Sequence, residues 1–78
     1  MITGTQSKMA RAAVGWTVRD LAEAAKVGVM TVSRFESSQG DTYPAIRAAI
    51  QQALEAAGVI FVPENGEGPG VRLRKSAP

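Results

Sequence analysis

The 78-residue chain contains no cysteine and no histidine. Without cysteine there is no disulfide, no zinc ribbon and no thiol nucleophile. Without histidine there is no two-Cys two-His finger, no His-Glu-x-x-His metalloprotease and no Ser-His-Asp triad. Aromatic residues are scarce at 5%, so the core has to be aliphatic and alanine-rich. Long apolar runs are missing as well. The longest stretch of small or apolar residues, Ala56 to Val62, is seven long, against the ~20 that a membrane-spanning helix needs. Met1-Ile2-Thr3-Gly4 lacks the basic-then-apolar pattern of an export signal, and a cytoplasmic location is expected. No large excess of one charge exists. Nine Lys/Arg against seven Asp/Glu leave +2, a mildly basic balance.

What is present suffices for one small domain. A hydrophobic content of 45% argues against wholesale disorder. A domain of this length has a thin margin of stability, which pairing with a second copy would widen.

The pattern predicts four helices and then two short strands. Thr3-Gly4-Thr5-Gln6 has the form of a capping box, which starts a helix that Gly15 should stop. Thr17-Val18-Arg19-Asp20 looks like a second cap, with Trp16 placed to staple onto Leu21. That second helix is expected over about 18–25, followed by a break at Lys26-Val27-Gly28 and a third helix over about 29–37. Ser37 to Asp41 is a polar loop. Asp41 or Thr42 can cap a fourth helix with Pro44 in its first turn. Ile46, Ile50, Ala53, Leu54 and Ala57 then share one helical face, and Gly58 ends it. Val59-Ile60-Phe61-Val62 and Val71-Arg72-Leu73-Arg74 flank a Gly-rich loop and predict a β-hairpin. Lys75 to Pro78 reads as a tail. Residues 1–58 are thus a helical domain, and 59–78 a C-terminal hairpin and tail.

The informative segment is Val18 to Phe35. Leu21, Ala25, Val32 and Phe35 can fill the angle between two short helices, and Ala22 stands where a large side chain would push them apart. Two helices joined by a three- to four-residue turn are the helix-turn-helix that reads DNA. Gly15-Trp16-Thr17-Val18-Arg19-Asp20-Leu21-Ala22-Glu23-Ala24-Ala25 and Thr31-Val32-Ser33-Arg34-Phe35-Glu36 resemble the Cro/phage-repressor-type (XRE) helix-turn-helix family. The resemblance covers about residues 3–57. It implies a four-helix lambda-repressor-like domain and a sequence-specific double-stranded DNA-binding regulator. Three positions depart from the family pattern. Lys26 stands where the family usually has glycine, Gly28 where it usually has Ser or Thr, and Val18 where a DNA-contacting Gln is frequent.

The reading surface follows from a helical wheel at about 100° per residue. Val32 and Phe35 face the core. Met30, Ser33, Arg34 and Ser37 lie opposite, and Val29 projects from the tip. Arg34 can donate two hydrogen bonds to guanine, Val29 and Met30 can pack on thymine methyls, and Ser33 can bond either kind of base. The plainer reading of these four is an ordinary solvated face. Candidate phosphate contacts are Thr17 at a helix N-terminus, Arg19, Ser37, Ser38 and Gln39. Glu36 falls near the core side, where an unpaired carboxylate is costly. The first helix offers Arg11, and the resemblance implies an Arg11–Glu36 ion pair.

One such head contacts few base pairs, too few for useful specificity. The resemblance implies a homodimer on palindromic operators with half-sites about 34–36 Å apart. The 59–62 strand is apolar on both faces, so one face can cover helix 4 and the other can meet a second copy. The expected interface is Leu54, Val59, Ile60, Phe61 and Val62. A repressor or autoregulator results, nucleoid-associated when bound, with no cofactor and no metal. The alternative is an antitoxin or adaptor that uses the same fold to bind a toxin or RNA polymerase. Arg72, Arg74 and Lys75 are either a second DNA contact or a charged face that limits aggregation. No enzyme is expected. The Gly-rich loop lacks a following Gly-Lys-Ser/Thr. Asp20 with Glu23, and Glu64 with Glu67, read as cap and loop carboxylates rather than as catalytic or metal pairs.

Overall fold

A computed structural model describes residues 2–37, 43–63 and 66–74. The elements are α1 (Gly4–Val14), α2 (Val18–Ala25), α3 (Val29–Glu36), α4 (Pro44–Ala56), β1 (Val59–Val62) and β2 (Gly70–Leu73). The order is the one expected: mainly helical, with a C-terminal antiparallel hairpin.

The caps explain the boundaries. The Thr3 hydroxyl accepts the Gln6 N–H at 3.1 Å, and the Gln6 side chain accepts the Thr3 N–H at 2.9 Å. Both bonds of the capping box at the start of α1 are therefore made. Gly15 closes the helix at φ 74°, a left-handed conformation that glycine adopts without crowding. Thr17 and Asp20 repeat the capping box at the start of α2. The fourth helix differs from expectation at its start. Tyr43 is its N-cap and makes no side-chain cap bond, while Pro44 fills the first turn. Asp41 and Thr42, the expected caps, lie outside the described residues. Pro44 at N1 needs no donor partner, so the helix starts without a polar cap.

The core consists of Ile2, Ala10, Leu21, Ala22, Val32, Phe35, Ile50, Leu54 and Val59. Leu21, Val32, Ile50 and Leu54 are fully buried, and each contributes roughly 1.5–3 kcal/mol by leaving water. Trp16, Val27, Ile46, Phe61 and Val71 pack partly exposed around it. α2 packs on α3 and α4, and α1 touches α3, α4 and both strands.

In the hairpin Val59 pairs with Leu73, Ile60 with Arg72, Phe61 with Val71 and Val62 with Gly70. Alternation turns Val59, Phe61 and Val71 toward the helices and Ile60 and Arg72 away. The Gln6 amide donates to the carbonyls of Val62 at 3.1 Å and Gly70 at 2.9 Å. One side chain thereby caps α1 and holds the last rung of the hairpin. Among the described residues no helix is long and apolar enough to cross a membrane.

Candidate nucleic-acid interface

The third helix has two distinct sides. Val32, Phe35 and Glu36 are buried, whereas Val29, Met30, Ser33, Arg34 and Ser37 are exposed. Met30 is 66% exposed and Val29 42%, although neither is prevented by chemistry from burial. All four candidate base-reading residues thus lie on one open face that includes no carboxylate.

The helix is held from behind. The Glu36 carboxylate, with only 3% of its side chain exposed, meets Arg11 Nη2 at 2.6 Å. Arg11 Nε donates to both carboxylate oxygens, at 2.9 and 3.1 Å. Ser7 Oγ donates to Glu36 Oε2 at 2.7 Å. Three donor atoms from α1 thereby surround one buried carboxylate, which repays much of its desolvation. The hydrogen bonds to Glu36 raise the Arg11 pKa above its already high ordinary value, so the guanidinium stays charged. Arg11 also donates to the Trp16 carbonyl at 3.2 Å, bracing the turn into α2. Gly4 completes the junction. A Cβ there would stand 2.2 Å from the Phe35 carbonyl oxygen and 2.9 Å from Glu36 Cα, so only glycine lets α1 approach the end of α3 this closely.

The turn between α2 and α3 is made by Lys26 at φ 60° and ψ 42°. The left-handed geometry usual for glycine is therefore kept, with a lysine in it, at a cost of roughly 1 kcal/mol. Gly28 is the N-cap of α3 and supplies no side-chain bond.

The candidate phosphate contacts divide. Thr17 is exposed, and its hydroxyl oxygen accepts the Asp20 N–H at 3.0 Å, which leaves its own proton to donate. Asp20 takes the Thr17 N–H at 2.9 Å, so the Val18 and Arg19 amides remain free at this helix start, and the neighbouring carboxylate opposes a phosphate there. Arg19 is exposed. Ser37, at the C-cap, donates its single hydroxyl proton to the Arg34 carbonyl at 3.1 Å and has none to offer until that bond opens. Ser38 and Gln39 lie outside the described residues.

The expected dimer surface is corrected in part. Leu54 and Val59 are 0% and 1% exposed and belong to the chain's own core. A domain this small needs both inward-facing side chains, so neither has surface to give a second copy. Phe61 and Val62 are half-buried. Ile60, at 39%, is the exposed member of the five; Leu73 is also exposed but pairs with Val59 and so points to the opposite face of the hairpin.

Several features were missed in the sequence. Ser7 carries no pattern that marks it as a Glu36 ligand. Gln6 was legible as a cap but not as the hairpin's clamp. Arg47 lies with Cζ 5.5 Å from the Phe35 ring centroid and shields that ring through a cation–π contact. A recess of about 160 Å³ is lined by Ile2, Gln6, Gln51, Phe61 and Pro63, none of them ionisable. Compared with known proteins, the chain matches no family model, and no curated protein is significantly similar to it. The geometry alone therefore bears on function.

Proposed function

We propose that this protein is a sequence-specific double-stranded DNA-binding regulator that places α3 in the major groove. The observation that carries this reading is the exposed Val29–Met30–Ser33–Arg34 face on a helix whose other side is locked into the core. Met30, two-thirds exposed, and its neighbour Val29 offer apolar surface that can pack on thymine methyls. Arg34 makes no side-chain bond among the described residues, so its donors are available to guanine. Phosphate contacts from Thr17 and Arg19 fix the register.

The regulator acts as a homodimer on an inverted repeat, the copies meeting through the outer hairpin face around Ile60. Repression or autoregulation is the role proposed for it. The supporting feature is Ile60, an exposed apolar side chain on the outward face of the hairpin.

Random-site selection with the purified protein tests both parts. It should return an inverted repeat with half-site centres about 10 base pairs apart. Arg34→Ala should cost about 1–3 kcal/mol on the selected site and relax preference at one position per half-site. An unselective pool, or an unchanged preference in Arg34→Ala, rejects the reading.

A further inference from the structure

Lys26 is the single non-glycine residue with a positive φ among the described residues. Its Cβ crowds the following carbonyl in that conformation, and lysine is not among the residues enriched there. Its ammonium makes no ion pair or hydrogen bond among the described residues, and the side chain is exposed. Two positions later the mismatch is reversed. Gly28, at φ −73° and ψ 149°, sits where any residue fits and where a serine would cap the helix. A Cβ there would meet Thr31 Oγ1 at 3.5 Å, an ordinary contact, so packing does not demand glycine. Local stability would favour glycine at 26 and serine at 28. Adjacent departures from local rules are expected where function sets the residue.

The place of Lys26 indicates which function. It lies three residues before Val29, the tip of the exposed face, so the two Cα atoms are at most about 11 Å apart. The major groove is about 12 Å wide. With Val29 and Met30 at its floor, a long side chain rooted within that distance of Val29 can reach a phosphate at the groove's edge. A compact ammonium on a flexible four-carbon stem suits a phosphate.

We propose that Lys26 is a phosphate anchor on the shoulder of α3, retained in a left-handed turn because of that contact. The proposal rests on the DNA-binding reading above. Its plainer competitor is a cation that only complements the C-terminus of α2.

Lys26→Gly, Lys26→Gln and Lys26→Arg, each in the full chain, separate the two with a random-sequence duplex as probe. Both charge-removing variants should bind on the order of threefold to tenfold more weakly at low salt. Their slope of log affinity against log salt should shrink in magnitude by about 0.9, while Lys26→Arg keeps the slope. Lys26→Gly should at the same time raise the folding constant about fivefold by relieving the turn, and Lys26→Gln should not. A variant that folds better and binds worse cannot owe its weaker binding to damage. Equal salt slopes in wild type and both charge-removing variants overturn the anchor and leave the DNA reading standing. A wild type with no salt-dependent duplex binding overturns both.

Discussion

The two ends of α3 are built in opposite ways. At its C-terminal end, Glu36 is buried and receives donors from Arg11 and Ser7, and Gly4 admits α1 into backbone contact. At its N-terminal end the cap is a bare glycine that follows a strained lysine. One end is fixed by a charged network centred on a buried carboxylate. The other has no side-chain hydrogen bond at its cap. The fixed end sets where the helix points. The open end is the one we propose enters the groove, where the DNA itself can supply the missing partners. A rigid mount behind an under-satisfied tip is what a reading helix needs, because the cost of ordering the mount is met during folding and not on binding.

The largest way to break this contrast is Glu36→Ala. It leaves Arg11 without its partner and Ser7 without its acceptor. Removing one member of a buried pair costs about 3–5 kcal/mol. The lower end applies, since the Arg11 side chain keeps 18% exposure and can rehydrate. A 78-residue chain has only about 4–12 kcal/mol in total at typical per-residue stability. Urea denaturation should therefore show a domain near its limit. An unchanged midpoint would mean that the network orients α3 without stabilising the fold. Ser7→Ala comes next. It removes one hydrogen bond to a charged group and should cost about 1.5–3 kcal/mol. Native-state hydrogen exchange locates the effect: the last turn of α3 should lose protection in Ser7→Ala before its first turn changes.

Much of this contrast is legible in the sequence, for specific reasons. Capping boxes are local, so Thr3 with Gln6 and Thr17 with Asp20 declared their helix starts. The periodicity of α3 separated Val32 and Phe35 from Met30, Ser33 and Arg34, because a 3.6-residue repeat fixes which side chains share a face. The wheel position of Glu36, together with the resemblance, points to its contact with Arg11. What stayed hidden is non-local. Gln6 meets Val62 and Gly70 across 56 and 64 residues, and no spacing rule connects them. Ser7 and Gly4 acquire their roles only once α1 and α3 are placed together. The hairpin was placed correctly, but apolar character on both strand faces did not show how much the core itself would take. Burial of Leu54 and Val59 answered that question, leaving Ile60 outside.

The smallest effect sharpens the other end. Gly28→Ser adds a hydroxyl where the backbone already has the extended geometry of a cap, with room for the Cβ. Its oxygen can accept the Thr31 N–H, which satisfies one of the free donors of the first turn. Glycine is only a few tenths of a kcal/mol poorer than serine at an N-cap. The expected gain is therefore about 1–3 °C in Tm for a domain of this size. A differential scan of the two proteins reads it directly. Neither position 28 nor the Thr31 amide is among the proposed DNA contacts, so duplex affinity should stay level while Tm rises. If Tm falls instead, the bare cap is already the best arrangement for the folded chain, and the N-terminal end of α3 is not the loosely held end this contrast requires.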